Sequence, residues 1–158
     1  MQKVIVLDFG GQYNQLIARR VRECNVYCEV KPYTTPLSQL RSEKLIGIIF
    51  TGGPSSVYDP ASPQVDPAVF ELAIPILGIC YGCQLMAHHL GGRVTAGTED
   101  TAREYGKTDT FFNTDCKLFK ALPKEGVTWM SHGDYMEKVP EGFSLVAHSA
   151  ACPTVAIC

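Results

Sequence analysis

The sequence predicts an α/β fold: an open, mainly parallel central sheet with helices on both faces, and antiparallel strands in the second half. Three observations predict it. Short β-branched runs alternate with a helix-period segment through the first half of the chain. Those runs are continuously apolar rather than alternating, as strands covered on both faces are. From "TAREYGKTDTFF" onward, shorter polar-alternating strands and turns take over.

The elements follow in order. "KVIVLDF" is a strand that ends at Gly10-Gly11, and "QYNQLIARRVREC" then sets Leu16, Ile17, Arg20 and Val21 at helical spacing. "VYCEV" is a second strand, "LIGIIF" a third that runs into "TGGPSSVYDP", and "IPILGI" a fourth that runs into Cys80 and a further helix. The antiparallel strands of the second half are expected to extend the parallel sheet. No repeat, low-complexity segment or linker interrupts the chain, so one domain over residues 1–158 is expected, incomplete at its C-terminal end.

Composition narrows the class. The chain has 158 residues, enough for one stable α/β core, and a formal net charge of -2 with no block of like charges. That leaves no electrostatic footprint for nucleic acid or an anionic membrane, and no apolar stretch approaches the roughly 20 residues of a membrane span. Seven cysteines at irregular spacings, with no signal-peptide pattern in "MQKVIVLDFG", point to reduced thiols in a cytoplasmic protein rather than a disulfide framework.

Ligands of an open parallel sheet sit beyond the carboxyl ends of its strands. Three loops there are glycine-rich: Gly10-Gly11, Gly52-Gly53-Pro54, and Gly78 to Gly82 around Cys80. The first two serve equally as ordinary tight turns. Cys80 has the richest context, because a nucleophile on a sharp strand-to-helix turn between small residues is the geometry G-x-S-x-G gives a serine. The positive end of the following helix favours thiolate, the reactive form. The N–H of Tyr81 and one from the "GGP" loop then make an oxyanion hole. A buried structural cysteine is the competing reading.

Together "GICYGCQL", the upstream "TGGP" and the downstream "MSHGD" resemble the class I glutamine amidotransferases, with their flavodoxin-like fold. "DFGGQYNQLIARRVRE" and "MSHGD" narrow the resemblance to the GMP synthase branch. The resemblance implies that Cys80 attacks the side-chain amide of glutamine, releasing ammonia and leaving a thioester that water hydrolyses. Gly53 and Tyr81 match the oxyanion-hole positions, and Gln84 matches a position lining the glutamine pocket. Ser131, His132, Gly133 and Asp134 match residues near the substrate's α-amino and α-carboxylate groups. The implied partner is an ATP-pyrophosphatase synthetase, as a fused domain or a separate chain, where ATP and magnesium act on xanthosine monophosphate. The amidotransferase domain itself then needs no cofactor.

Two departures from the family stand out. Cys83 stands where family members usually carry methionine or another non-cysteine residue, so the corner also reads C-x-x-C. The family's His-Pro-Glu stretch, its general base and orienting acid, does not occur, so the natural protein is expected to continue past Cys158. His88 and His89 lie roughly 12 Å or more along the helix from Cys80, beyond hydrogen-bond reach. His148 reads as a solvent-facing or packed residue. The remaining cysteines offer no zinc spacing, and no metal is expected. Trp129 reads as packing, and Arg19, Arg20 and Arg22 as a solvated helix face. Two further functions stay open: a thiol oxidoreductase using Cys80-x-x-Cys83, and a non-catalytic regulatory or binding module.

Overall fold

The computed structural model describes residues 2–41, 44–98 and 102–158. The chain divides into two compact units, Met1–Met86 and Ala87–Cys158.

The first unit is built on a parallel sheet. Its strands are β1 (Lys3–Asp8), β2 (Tyr27–Pro32), β3 (Leu45–Phe50) and β4 (Ile76–Gly78), in spatial order β2-β1-β3-β4. The chain leaves β1 through α1 (Asn14–Glu23) to reach β2, then crosses back to β3 on the other side. The strand order therefore reverses between β1 and β3, and the crevice beyond their carboxyl ends is the ligand position of such sheets.

Register assigns the faces. Val6 sits opposite Val30 and Ile49, and these three pack with Ala18, Ile17 and Val21 of α1. Leu7 sits opposite Phe50, and Phe50 opposite Gly78, on the other face. There α3 (Tyr81–His89) approaches so closely that a Cβ on Gly82 would fall 2.5 Å from the Phe50 carbonyl oxygen. Helices thus cover both faces, as the sequence predicts. An aromatic cluster closes the α3 side, with the Phe9 ring centroid 5.3 Å from that of Phe50 and 5.8 Å from that of Tyr81. Helix α1 packs through positions 14, 17, 18 and 21, while Leu16 is exposed. The apolar stripe is rotated from the one its spacing suggests, because Asn14 and Ala18 take the buried face. Leu77 is exposed in β4, which is an edge strand among the described elements of this sheet. The short helix α2 (Leu37–Leu40) and a 3-10 turn over Pro67–Leu72 lie in the connections.

The second unit is antiparallel. Strands β6 (Glu104–Phe112), β7 (Glu125–His132), β9 (Leu145–Ser149) and β10 (Ala156–Ile157) pair in the order β10-β9-β6-β7, and β5 (Arg93–Ala96) pairs with β8 (Asp134–Lys138). The expected antiparallel strands are present, but they form two sheets of their own rather than extending the parallel one. Thr101, the first residue of the "TAREYGKTDTFF" stretch, lies outside the described residues. Trp129 is 74% exposed, so the packing role expected for it is not seen: β7 alternates, and position 129 falls on the outward face.

Candidate active site

Three turns at the carboxyl ends of β1, β3 and β4 converge. A Cβ on Gly11 would fall 2.5 Å from the Gly52 carbonyl oxygen, and one on Gly53 would fall 2.5 Å from that of Phe9. These glycines are therefore required by backbone-to-backbone contact between the first two loops. Gly52 in turn faces the third corner, where its Cβ would sit 3.4 Å from Cys80 Cβ and 3.9 Å from Cys80 Sγ.

Thr51 clamps this junction. Its buried hydroxyl accepts the Phe9 N–H at 3.0 Å and donates to the Gly52 carbonyl at 3.0 Å, while its own carbonyl accepts the Gly82 N–H at 3.1 Å. One threonine thus ties the end of β1, the loop after β3 and the first turn of α3. Sequence reasoning did not single it out, although it opens the "TGGP" stretch.

Cys80 occupies the corner between β4 and α3 with φ +52°, a left-handed conformation that costs a non-glycine residue roughly 1–2 kcal/mol. It is exposed, so the buried structural reading does not apply. Its carbonyl accepts the Gln84 N–H at 3.0 Å, which makes it the residue that caps α3. Tyr81 is the first helical residue, and its N–H has no intrahelical acceptor at that position. The Tyr81 side chain turns away into the core, where its hydroxyl donates to the Pro63 carbonyl at 2.5 Å. Cys83 faces inward: a Cβ on Gly78 would fall 2.6 Å from Cys83 Cα and 2.7 Å from Met86 Sδ. Burial, and then the neighbouring Cys80, pushes the Cys83 thiol up to about 11. No disulfide joins any of the seven cysteines.

Ser131, His132, Gly133 and Asp134 belong to the second unit, at the junction where β7 ends and β8 begins. The Gly133 carbonyl accepts the Gly97 N–H at 2.7 Å, which ties the turn to the residue leaving β5. His132 Nδ1 lies 3.1 Å from the Asp134 carbonyl, and Nε2 lies 3.1 Å from Glu104 Oε2. The other Glu104 oxygen accepts the Ser149 hydroxyl, and Ser149 Oγ accepts the Cys152 N–H at 2.9 Å. Glu104, Ser149 and Cys152 are all buried. Sequence reasoning missed this network, whose members come from three separate strand ends and the turn after β9. Glu104, His132 and Cys152 also place a carboxylate oxygen, a ring nitrogen and a thiol sulfur within 4.8 Å of one another, a donor set able to hold a metal ion. These donors partner one another and nearby groups: the Cys152 thiol donates to the Thr154 carbonyl at 3.4 Å, and burial raises its pKa.

The other predicted positions separate. His148 stacks on Phe111 with ring centroids 5.2 Å apart, and burial, then His88, pushes His89 below the usual histidine range. Arg22 is more than a solvated residue, since its guanidinium donates to the Cys28 carbonyl at 2.8 Å. No described helix is long and apolar enough to cross a membrane.

Known proteins match this arrangement. The chain is 57% identical over 153 residues to the GMP synthase [glutamine-hydrolyzing] of Caldicellulosiruptor saccharolyticus, an alignment covering 97% of this chain and 29% of that protein. It thus spans under a third of the length of that relative. Among solved structures, a Thermoplasma acidophilum protein described as a candidate GMP synthase subunit superposes with a TM-score of 0.80 at 30% identity. That match covers all of this chain and 78% of the other. A glutamine amidotransferase of Thermotoga maritima shares the fold, with a TM-score of 0.73 at 20% identity over 99% of this chain and 71% of its own. The sequence model described as Glutamine amidotransferase class-I matches residues 5–158, so the chain belongs to the class-I glutamine amidotransferase family.

Proposed function

We propose that this chain is the glutaminase part of a GMP synthase, hydrolysing the side-chain amide of glutamine and supplying the ammonia that aminates xanthosine monophosphate to GMP. The observation that carries the reading is the exposed Cys80 thiol, held at φ +52° on a strand-to-helix corner with the glycine loop of β3 against it. A strained backbone that presents a thiol outward at the start of a helix has a cost that packing alone does not call for.

Cys80 Sγ attacks the amide carbonyl carbon, and the carbonyl oxygen takes the negative charge of the tetrahedral intermediate. Backbone N–H groups of Tyr81 and Gly53 are the donors for that oxygen, being already fixed before charge develops. Collapse expels ammonia, which needs a proton as it leaves, and the remaining thioester is hydrolysed to glutamate and free thiol. Gln84, one residue past Cys83 on α3, lines the pocket. The family resemblance assigns Ser131, His132, Gly133 and Asp134 to the substrate's α-amino and α-carboxylate groups. The first unit holds no histidine in its sequence, so a histidine acting as the general acid-base group comes from outside it. No cofactor acts in this domain. ATP and magnesium belong to the ATP-pyrophosphatase synthetase, fused or separate, that is its partner in the cytoplasm, where thiols stay reduced.

The test uses the full-length protein. A glutamine-analogue chloroketone is expected to label Cys80 alone, and Cys80→Ala to abolish glutamine hydrolysis while synthesis from added ammonia continues. Glutaminase activity retained by Cys80→Ala, or equal labelling of several cysteines, removes the assignment.

A further inference from the structure

We propose that Glu104 is the positioning residue of the Ser131–Asp134 turn, acting through His132 to set how tightly glutamine binds. The inference rests on the reading of that turn as the holder of the substrate's α-amino and α-carboxylate groups.

The hydrogen-bond chain is fixed at its two ends. A backbone carbonyl can only accept, so the contact with Asp134 requires a proton on His132 Nδ1. Glu104 Oε1 already accepts the Ser149 hydroxyl, and the Ser149 oxygen is in turn occupied by the Cys152 N–H. The remaining contact, Nε2 to Oε2 at 3.1 Å, therefore carries a proton between ring and carboxyl. Both ring nitrogens are thus spent inside the chain. His132 has neither a lone pair nor an N–H left for substrate or for taking a proton from a thiol, and its contribution is to place the turn around it.

Glu104 is what fixes the ring. Its side chain is 4% exposed, and it stands directly opposite His132 in the β6–β7 register. A carboxyl in such a place is costly unless its oxygens are satisfied, and both are, one by the ring and one by Ser149. An apolar side chain fills the same volume without that requirement, but it leaves the imidazole free to rotate. Rotation breaks the Nδ1–H bond to the Asp134 carbonyl and so releases the backbone at the start of β8. The glycine matters here too, because a Cβ at 133 would lie 3.1 Å from the Tyr105 hydroxyl. The Asp134 carbonyl that the ring holds belongs to the turn itself, so a change in the ring is passed to the turn directly.

The experiment compares Glu104→Ala, Glu104→Gln and Ser149→Ala in the full-length protein. Glutamine-dependent and ammonia-dependent synthesis are both measured, along with the ring-nitrogen resonances of His132. Glu104→Ala is expected to raise the KM for glutamine roughly tenfold to a hundredfold, the scale for losing a bond to a charged group, with little change in kcat. Glu104→Gln is expected to return KM close to wild type, because its amide oxygen accepts from Ser149 and its amide N–H donates to an unprotonated Nε2. Ser149→Ala shifts KM in the same direction as Glu104→Ala but by less. The spectra are expected to show two hydrogen-bonded ring nitrogens in the wild type and one in Glu104→Ala. Wild-type KM in Glu104→Ala and Ser149→Ala, or a loss confined to kcat, overturns the inference. If the alanine variant at 104 does not fold, unchanged KM in Ser149→Ala with an unchanged His132 spectrum does so. Failure of the glutaminase reading looks different: the wild type then hydrolyses no glutamine, or Cys80→Ala still does.

Discussion

Gly52 and Gly82, on either side of the Cys80 corner, separate its chemistry from its fold. A methyl at Gly82 would meet the Phe50 carbonyl oxygen at 2.5 Å, Phe50 Cβ at 2.6 Å and the Phe50 carbonyl carbon at 2.8 Å. These are backbone and near-backbone atoms of a central strand, so α3 must move off the sheet. Overpacking of this kind costs about 3 kcal/mol, offset by about 1 kcal/mol for replacing a helical glycine. The net loss of about 2 kcal/mol lowers Tm by roughly 4–8 °C in a protein part of this size. A methyl at Gly52 meets only Cys80 Cβ at 3.4 Å, Ile79 O at 3.8 Å and Cys80 Sγ at 3.9 Å, ordinary contact distances, and Gly52 has no positive φ. Gly52→Ala is therefore expected to fold with stability within about 1 kcal/mol of wild type. It nevertheless places a methyl beside the sulfur, where a reacting carbon has to come within about 3–3.5 Å, and a displacement near 1 Å costs about a hundredfold. The assay is glutamine hydrolysis by the full-length protein beside thermal unfolding of both variants. Wild-type turnover in Gly52→Ala would refute the placement of substrate against this loop, and wild-type stability in Gly82→Ala would refute the close-contact argument.

Backbone strain and titration give two more expectations. At φ +52° glycine is relaxed where alanine is not, so Cys80→Gly should unfold at a higher temperature than Cys80→Ala, by about 1 kcal/mol in stability, with both inactive toward glutamine. Calorimetry of the pair checks it, and equal stability removes the strain. Cys83 sits at about 11 in the folded chain against an ordinary 9.0. Its folded value is raised, so its contribution is complete below pH 9 and is lost as pH climbs toward 11. Two units correspond to about 2–3 kcal/mol, and denaturant midpoints measured across that range should fall less steeply in Cys83→Ala than in wild type. Parallel slopes contradict the burial of this thiol.

The parallel half was legible because its signals are local. An apolar run closed by Gly10-Gly11, or by "TGGP", states both a strand and its carboxyl end, and the strand-glycine-Cys80-glycine-helix order states the corner. Orientation was less legible: Leu16 fits the helical period but is exposed, since Ala18 lets α1 approach Val6 and Cys28 more closely than a larger residue would. The antiparallel half was legible only as strands. Period-two alternation shows that a strand has two faces, not which strand it pairs with, so the separate sheets did not follow from it. The network at His132 was hidden for the same reason. Glu104 lies 28 residues from His132 and 45 from Ser149 in sequence, and no local pattern marks residues joined only by strand register.

The C-x-x-C spelling at Cys80 and Cys83 raises a redox reading that the local structure answers. An oxidoreductase needs its second thiol to attack the first sulfur, and only the thiolate attacks. With the Cys83 thiol at about 11, roughly one molecule in ten thousand carries that thiolate at neutral pH. Spacing alone permits a bridge, because positions three apart are neighbours on a helix. Packing opposes it: Cys80 sits exposed at a strained corner, while the backbone of Cys83 is pinned where β4 and α3 touch, its Cα 2.6 Å from the Cβ position of Gly78. Drawing Cys83 toward Cys80 would open the contact that sets the corner's geometry. Mild oxidation of the full-length protein is therefore expected to modify Cys80 without forming a bond to Cys83, and a bound glutamine analogue to protect it. Peptide mapping by mass spectrometry reads this directly. Cys83→Met should leave the oxidation sensitivity of glutamine hydrolysis unchanged, with the larger side chain occupying the space beside Met86. A Cys80–Cys83 disulfide that appears reversibly, together with resistance to oxidation in Cys83→Met, would instead make the pair a switch on the nucleophile.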